Sequence, residues 1–520
     1  MFTKLVGVFF ALLILVAPAL ACSQSIVTTS AQAASAYPAV DEFIEKQMQE
    51  AGIPGVAVAV VQNGKIIYLK GFGVTSLSNP KPVTPQTVFD LASSSKSFTA
   101  MGTLILEDAG LIDIDQPLQK YVPDFVLADG ESSRITVREL LNHTSGLPGA
   151  FSEPLAYHDG PNGYDEMLKA LRRVRTDREP GTTFEYANIN YCLLGLLIQR
   201  VSGMSFEDFM YQELFTAAGL QHTTLDPVQA ASWERADGHQ PFFGRLVVRN
   251  IPAIESARGA GWVMSCAEDM AHWLILQLDN GLIDGQQLIP AEDVIESQTP
   301  EVEFKENGGD VAYGMGWFSG DSKDGTPMVW HGGDTPNFMS DMLLVPGADF
   351  GVVVLANAQS SSLGHSLGPG VANLIAGLDL ERSAVPWWAY WRTIDTIAIY
   401  AMAVSVCLII GLALYGWRMG WEFSNRRRYA VLSPWAKPAL PVYLFLLYMT
   451  PFILVALIFG VGYTVVQTLF GYNPFQAMID FRLVGPPGVW VASITFFSIA
   501  SLWALALAFT ALFTRARKTT

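Results

Sequence analysis

The spacing of apolar positions predicts a helix and a β-hairpin at the start of the chain's first large segment. Residues 40–50 mix charged and apolar side chains as an amphipathic helix does. Residues 55–73, GVAVAVVQNGKIIYLKGFG, form two β-rich runs joined by Asn63-Gly64, a pair that favours a two-residue type I′ turn. A second helix is predicted from about Ser93 to Gly110.

A second group of strands is predicted near the end of this segment. After a helical, loop-rich region from about 112 to 255, four short apolar runs follow from about residue 311: YGMGWFSG, PMVWHGG, FMSDMLLVPG and FGVVVLAN. The helix-like GVANLIAGL comes next. Strands on both sides of a helical insertion predict an α+β fold, in which an antiparallel sheet packs against helices and carries a helical subdomain.

The last quarter of the chain has a different pattern. Three long apolar stretches occupy about residues 396–416, 442–470 and 489–513. Each reaches the roughly 20 residues that a membrane-spanning helix needs. Buried core helices are the alternative, but such long stretches with almost no charge favour three transmembrane helices in a membrane domain of residues 391–520.

The charges that flank these stretches predict their orientation. The first connecting loop is basic, with Arg418, Arg426, Arg427, Arg428 and Lys437 against Glu422. The tail after the third stretch is basic too, with Arg515, Arg517 and Lys518. By the positive-inside rule both segments are cytoplasmic, which places the region before the first stretch outside.

The N-terminus agrees with this topology. Residues 1–21 read as a signal peptide, with Lys4, an apolar run and Ala19-Leu20-Ala21 as a cleavage site. Cys22 follows at once, which leaves a lipid-modified cysteine as the alternative to a plain or uncleaved export signal. Residues 22–39 are then a linker to a domain of residues 40–380, periplasmic or extracellular, in a protein of the inner (plasma) membrane with a cytoplasmic C-terminus.

Charge and cysteine content narrow the function. Residues 391–520 hold ten basic and three acidic residues, a net charge of +7. Since the whole chain has a net charge of −16, residues 1–390 have a net charge of −23. Such an acidic domain is a poor candidate for binding nucleic acid or an anionic lipid surface. The four cysteines show no disulfide or zinc spacing, and neither a metal nor a cofactor is expected.

The stretch FDLASSSKSFTAMG, residues 89–102, offers a nucleophile. A serine hydroxyl needs a base within hydrogen-bond reach, and helical residues three apart share a face. Ser93 and Lys96 satisfy both conditions, whereas Ser94 and Ser95 point elsewhere. Burial also favours the neutral form of a lysine. S-x-x-K alone is a weak signal, since an ordinary helix start can contain it.

Two later motifs strengthen the assignment. FEYANINY contains Tyr186-x-Asn188, and VWHGGDTPNF places His331-Gly332-Gly333 at a strand end, where glycines let a substrate backbone approach. With these three motifs, residues 40–378 resemble the serine β-lactamase and penicillin-binding-protein superfamily, in particular its class C β-lactamase-like branch. The segments LLNHTSGLP and AGWVMSCAEDMAHW are similar to that branch as well.

The resemblance implies a role for each motif residue. Ser93 would attack the acyl carbon, Lys96 and Tyr186 would share proton transfer, and Asn188 would position the substrate amide and Lys96. His331 would occupy the place of the family's third-motif cation. The backbone N–H groups of Ser93 and of Asp334, just after Gly332 and Gly333, would form the oxyanion hole.

Two other candidates for catalysis are weaker. GHSLG, residues 364–368, fits the G-x-S-x-G nucleophile elbow, but that fold needs a histidine after its serine and none follows His365. The segment is therefore interpreted as a loop. His143 is a possible base, although a structural histidine beside the active-site helix is the preferred interpretation.

The three-span tail bears on the substrate. The order of signal, peptidase domain and three membrane helices resembles the prodrug-activating peptidases of colibactin maturation, which remove an N-acyl-D-asparagine cap from an exported nonribosomal peptide. HGGDTPNF, with Asn337, is similar to their third motif. Asp90 is predicted to hold the polar cap of the substrate through its carboxylate. The alternative is that its charge stabilises the helix N-terminus.

Three functions therefore remain open. The first is a membrane-anchored serine peptidase or amidase that acts on a small peptide or acylated peptide, a class that includes prodrugs of this kind. The second is an esterase, D-aminopeptidase or D,D-carboxypeptidase of the same fold. The third is a β-lactam sensor that signals through the membrane, which the absence of an H-E-x-x-H motif makes weaker.

Overall fold

The computed structural model describes most of the chain up to residue 430, namely residues 37–149, 156–283, 285–306, 309–359, 361–380, 391–425 and 428–430, with scattered positions between 492 and 516. The described residues form two compact units. One contains the residues from Tyr37 to Gln240 and from Val247 to Leu380. The other contains Pro241–Leu246 and the described residues from Trp391 onward. The predicted signal peptide and linker lie outside the described residues.

An eight-stranded antiparallel sheet organises the first unit. Its order is β2-β1-β14-β13-β12-β11-β10-β9, so the first and last strands of the chain segment are neighbours, next to the edge strand β2. These strands are β1 (Gly55–Gln62), β2 (Lys65–Gly73), β9 (Val302–Glu306), β10 (Gly309–Tyr313), β11 (Phe318–Asp321), β12 (Pro327–Asp334), β13 (Met339–Val345) and β14 (Phe350–Ala356). Short pairs outside this sheet are β3 (Phe89–Asp90) with β6 (Met264–Ser265), β4 (His239–Phe242) with β5 (Arg245–Val248), and β7 (Leu282–Ile283) with β8 (Gln286–Gln287).

The α-helices of this unit lie on both faces of the sheet and in a long insertion between β2 and β9. They are α1 (Pro38–Ala51), α2 (Ser95–Asp108), α3 (Val137–Leu141), α4 (Gly163–Leu171), α5 (Asn188–Ser202), α6 (Phe206–Phe209), α7 (Pro227–Ser232), α8 (Arg258–Gly261), α9 (Ala267–Leu278), α10 (Ala291–Gln298) and α11 (Ser361–Ala376). A 3₁₀ turn, Ala92–Ser94, leads directly into α2.

Strand β1 shows how the sheet packs against the helices on its two faces. Side chains on a strand alternate between faces, and β1 is buried on both. Val56, Val58 and Val60 belong to the core shared with α1 and α11. Ala57 and Ala59 belong to the larger core shared with α2, α5 and α9. Burying each valine contributes about 1.5–3 kcal/mol. Because β1 is buried on both faces, its apolar run joins the two cores.

The predicted α+β fold with an antiparallel sheet and helices is confirmed. The Asn63-Gly64 turn also has the two positive φ angles, 50° and 67°, that a type I′ turn requires. One prediction about local structure was wrong: residues 364–368 lie in α11 and form neither a loop nor a strand-to-helix elbow. The helix predicted from about Ser93 to Gly110 corresponds to a 3₁₀ turn that contains Ser93 and leads directly into α2.

The second unit contains a long apolar helix, α12 (Trp391–Ser424). Its part from Asp395 to Ser424 is long and apolar enough to cross a membrane, with a mean hydropathy of 2.6 in its most apolar window. It is the one such helix among the described residues. The predicted span 442–470 lies outside the described residues, as does most of 489–513. A short pair, β15 (Arg428–Ala430) with β16 (Thr514–Ala516), belongs to the same unit.

Candidate active site

The three adjacent serines have different environments. Ser93 is partly exposed, whereas Ser94 and Ser95 are fully buried. Ser94 Oγ lies 2.7 Å from Ser340 Oγ on β13. Ser95 Oγ accepts a hydrogen bond from the Val263 N–H at 3.0 Å. Of the three, Ser93 is therefore the serine that a substrate can reach, while its neighbours hold the turn in place.

The turn that carries Ser93 is tightly packed against β12. Ala92 has a φ of 48°, in the left-handed region that costs an alanine free energy unless its surroundings impose it. A Cβ added to Gly333 would lie 2.1 Å from the Leu91 carbonyl oxygen and 2.9 Å from the Ser93 nitrogen. Ser340 Oγ donates to the same Leu91 carbonyl. A glycine on β12 is therefore required for this close approach, and the contact fixes where the Ser93 N–H lies.

Lys96 is fully buried one turn after Ser93. Its Nζ lies 3.0 Å from Ser93 Oγ, 2.9 Å from Asn188 Oδ1 and 2.7 Å from the Ala260 carbonyl oxygen. Three acceptors match the three N–H groups of an ammonium. A neutral amine would keep two N–H groups for Asn188 and Ala260 and direct its lone pair at Ser93. The arrangement thus places a potential base beside one accessible hydroxyl.

Tyr186 and Asn188 flank the point where α5 begins. Ala187 is extended, with φ −138°, and Asn188 is the first residue of the helix. The Lys96 ammonium lies 4.9 Å from the centre of the Tyr186 ring, a distance at which a cation and an aromatic face attract each other. The fold therefore brings Ser93, Lys96, Tyr186 and Asn188 together, as the motifs predicted, although Asn188 is 92 residues from Lys96 in sequence.

His331 of β12 is buried, and its ring centre lies 6.3 Å from the ring centre of Tyr186. Its Nδ1 donates to the Gly332 carbonyl oxygen at 2.7 Å, and its Nε2 accepts from the Tyr313 hydroxyl at 3.3 Å. Burial, and then the nearby Lys96 charge, lower the pKa of His331 to about 3. His331 is therefore a neutral imidazole, and it does not supply the positive charge expected at this position.

The remaining residues of the third motif differ in their exposure to solvent. Gly332 is partly exposed, and Asp334 is exposed where β12 ends. Asn337 is buried, and both ends of its amide are bonded: Nδ2 donates to the Arg249 carbonyl, and Oδ1 accepts from the Thr335 hydroxyl. These contacts tie two loops together. A substrate role for Asn337 stays a prediction that its contacts do not favour.

Asp90 lies on β3, three residues before Ser93, in an ion pair with Arg235 at 2.7 Å. The guanidinium donates to both carboxylate oxygens and lies 5.4 Å from the centre of the Phe338 ring. Burial raises the pKa of the Asp90 carboxyl, and the Arg235 charge opposes that rise. Asp90 is thus engaged within the protein, and its predicted role in holding a substrate cap stays a prediction.

Among the described residues, one group of possible metal ligands shares no member with the residues above. His222, Cys266 and Asp269 bring a ligand atom each within 4.8 Å of one another. Hydrogen bonds at the start of α9 account for two of them: Cys266 Sγ accepts from the Asp269 N–H, and Asp269 Oδ2 accepts from the His222 N–H and the Thr223 hydroxyl. Burial also raises the pKa of the Cys266 thiol, which disfavours the thiolate that a metal would need.

Sequence comparison agrees with this geometry. The sequence model of the beta-lactamase family matches residues 40–374, more than half of the chain. The chain belongs to the beta-lactamase family. Members of this family are serine hydrolases.

Individual relatives of this beta-lactamase-family chain are distant. Protein flp of Staphylococcus aureus is 29% identical over 322 residues, and the unguisins hydrolase of Aspergillus campestris is 27% identical over 340 residues. The match covers 62% of this chain in both cases, and it spans 63% and 61% of the relatives' own length. The penicillin-binding protein homologue of Pyrococcus abyssi, an octamer, has a similar structure, with a TM-score of 0.59, 25% identity and coverage of 66% of this chain and 78% of the other.

Two contributors to the site were missed in the sequence. The Ala260 carbonyl accepts from Lys96, and Ser340 bonds both to Ser94 and to the turn before Ser93. Any residue has a carbonyl, so no side-chain pattern identifies Ala260. Ser340 lies on a strand whose seven residues are all buried, and this signals only a core strand.

Proposed function

We propose that this protein is a membrane-anchored serine hydrolase that cleaves an amide bond of a small peptide or acylated peptide through an acyl-enzyme. The observation that carries the proposal is the position of the buried Lys96 Nζ, 3.0 Å from Ser93 Oγ, the accessible hydroxyl among the three adjacent serines. Asn188 and Ala260 bind the other two donors of Lys96 and thereby fix its position.

Acylation would begin with neutral Lys96 accepting the Ser93 proton as Oγ attacks the acyl carbon. The N–H groups of Ser93 and Asp334 would then bind the oxyanion, a contribution commonly worth about 3 kcal/mol per donor. As the tetrahedral intermediate collapses, the C–N bond breaks and the amine leaves with a proton delivered by Lys96 and Tyr186. Water hydrolyses the resulting Ser93 ester by the reverse proton path and regenerates the serine.

The apolar character of α12 supports membrane anchoring. Large apolar side chains on this helix are about half exposed in the described chain, and they include Ile397, Val406, Ile409, Ile410 and Leu414. Water would oppose such exposure, whereas lipid would accept it. The pairing of β15 with β16 brings the chain just after α12 next to the C-terminal tail. Both basic segments would then lie on one side of the membrane, as an even number of crossings between them requires.

The proposed substrate is a peptide that carries an N-acyl cap, and the enzyme would remove this cap. The proposal rests on the resemblance to prodrug-activating peptidases, which have the same order of segments. Its scissile acyl group is expected to belong to an N-acyl-D-amino acid. The relative named an unguisins hydrolase is in accord with hydrolase activity in this branch of the family. The experiment must distinguish this activity from that of an esterase or a D,D-carboxypeptidase of the same fold.

The experiment uses the full chain purified in detergent. It compares turnover of an N-acyl-D-asparaginyl p-nitroanilide, a p-nitrophenyl ester, a D-alanyl-D-alanine peptide and a cephalosporin, with mass spectrometry of the stalled acyl-enzyme. We expect turnover of the acyl-D-amino anilide and an adduct on Ser93. Turnover of the ester alone would favour an esterase, and release of D-alanine would favour a carboxypeptidase. A long-lived cephalosporin adduct without turnover of any substrate would favour a sensor.

A further inference from the structure

A second buried imidazole lies against the catalytic tyrosine. His143 is completely buried, and its ring centre lies 4.5 Å from the ring centre of Tyr186. Tyr191 and Tyr313 surround it, with ring centres at 5.1 and 5.0 Å. The proposed acid–base chemistry gives this histidine no role.

The hydrogen bonds of His143 determine its tautomer. Its Nδ1 accepts from the Ala187 N–H at 3.2 Å and from the Asn190 side-chain amide at 3.0 Å. Because an amide N–H can only donate, Nδ1 carries no proton and Nε2 carries the proton of the neutral ring. The Nε2–H has no hydrogen-bond partner among the described residues. Neither nitrogen has a lone pair available, so His143 is unsuited to act as a base.

The bonds of His143 hold both sides of Tyr186. The His143 carbonyl accepts from the Glu185 N–H at 2.9 Å, and Nδ1 binds the Ala187 N–H. The residues before and after Tyr186 are therefore both fixed to one residue. His143 reaches them with a φ of 60°, a left-handed conformation that is uncommon outside glycine and asparagine.

The ring stays neutral in this environment. Burial, followed by the nearby Lys96 charge, lowers the pKa of His143 well below its ordinary value. The groups that face the ring include no carboxylate among the described contacts; they are Tyr186, Tyr191, Tyr313, Phe184 and Asn190. A protonated ring would lose the Nδ1 lone pair that binds the Ala187 N–H.

We propose that His143 is a positioning residue, whose Nδ1 lone pair sets the Glu185–Ala187 backbone and thereby the place of Tyr186 and Asn188 relative to Lys96. The inference rests on the proposed acyl-transfer function. A misplacement of about 1 Å at a reacting group can cost about 100-fold in rate, so loss of this acceptor should lower kcat and leave KM nearly unchanged.

The test compares His143→Asn with His143→Leu in the full chain. The asparagine Oδ1 occupies the place of Nδ1, and asparagine tolerates the positive φ. Both variants lose the ring, but only His143→Leu loses the acceptor. We expect His143→Asn to keep amide turnover within about tenfold of wild type. His143→Leu should lose about 100-fold in kcat on the amide and much less on an activated ester, because the defect lies in the Tyr186 step.

Several outcomes would overturn the proposal. Equal losses in the two variants would show that the ring, and not its acceptor, matters. A loss in His143→Leu of the same size on amide and ester would show a general structural role. If His143→Leu does not fold, His143→Gln replaces it. The glutamine oxygen lies one bond further along the side chain than Nδ1, so this variant also lacks an acceptor at the Nδ1 position. Ser93→Ala serves as the separate control: if it keeps full turnover, the hydrolase function itself fails, whatever the His143 variants do.

Discussion

Lys96 Nζ lies 3.0 Å from Ser93 Oγ, while the hydroxyls of the two following serines are bonded to other parts of the fold. The S-x-x-K spacing therefore selects one serine of three. The choice arises from exposure as well as distance, since Ser93 is partly exposed and its neighbours are buried.

Ser93→Ala should abolish covalent labelling by a fluorophosphonate probe, whereas Ser94→Ala and Ser95→Ala should keep it. Each of the latter two loses a buried hydrogen bond, which should lower the free energy of unfolding by about 1–3 kcal/mol. In-gel fluorescence and thermal unfolding measure the two effects. Labelling of the Ser93→Ala protein at the wild-type level would disprove the assignment of the nucleophile.

Tyr186→Phe should damage amide hydrolysis at least about tenfold more than hydrolysis of a p-nitrophenyl ester. An amine leaves poorly unless it is protonated, whereas a nitrophenolate leaves without help, and general acid catalysis is worth about 10²–10⁴-fold. The change removes one hydroxyl, so folding should survive. Steady-state kinetics on both substrates decide the matter: equal losses would mean that Tyr186 acts earlier, when Ser93 is activated.

Gly333→Ala should reduce fluorophosphonate labelling about 100-fold or more and lower the melting temperature. Its new Cβ would lie 2.1 Å from the Leu91 carbonyl oxygen and would push β12 away from the Ser93 turn. Gly332→Ala is the matched control, because a Cβ there meets nothing closer than 3.7 Å. A Gly333→Ala protein as stable and as readily labelled as Gly332→Ala would contradict the close packing described here.

His331 should make the protein less stable in acid. The pKa of a histidine in the unfolded chain is about 6.5, whereas burial holds that of His331 at about 3. The unfolded state therefore binds more protons between these values, and stability falls as the pH falls from about 6.5 toward 3. At pH 4.5 the loss amounts to about 2–3 kcal/mol.

Urea denaturation of the full chain at pH 7 and pH 4.5 measures this effect against His331→Gln, which cannot titrate. The variant should be less stable than wild type at pH 7, since it disturbs the contacts with Tyr313 and Gly332. Its further loss between the two pH values should nevertheless be smaller by about 2–3 kcal/mol. The same loss in both proteins would mean that His331 is not a buried neutral imidazole.

Reporter fusions test the membrane topology. A reporter fused after Arg428 should be cytoplasmic, and one fused after Asn473 should be external, because the basic loop and basic tail favour the cytoplasm. Paired phosphatase and fluorescent-protein reporters give opposite signals on the two sides. The reverse pattern would place the Ser93 site in the cytoplasm and refute the export proposal.

Much of the fold could be predicted from local patterns. The two β-rich runs and the Asn63-Gly64 turn between them identified a hairpin, because β-branched residues and positive φ angles constrain sequence over a few residues. The helical state of residues 364–368 could not be predicted in the same way. Their glycines and serines are poor helix formers, and α11 even contains Pro369, so packing of its later residues Leu367 and Val371 against α1 and the sheet outweighs local propensity.

The sequence by itself predicted the proposed nucleophile and its base. Ser93 and Lys96 are three residues apart, and any helical turn brings such residues to one face. The tertiary structure alone decided the hydrogen-bond partners of the buried polar residues around this pair. Asp90 is bonded to Arg235, which is 145 residues away in sequence. The Asn337 amide donates to a loop carbonyl 88 residues away, and Ser94 is bonded to Ser340, which is 246 residues away. No local pattern encodes such partners, because a buried polar group is stable wherever the folded chain satisfies its hydrogen bonds.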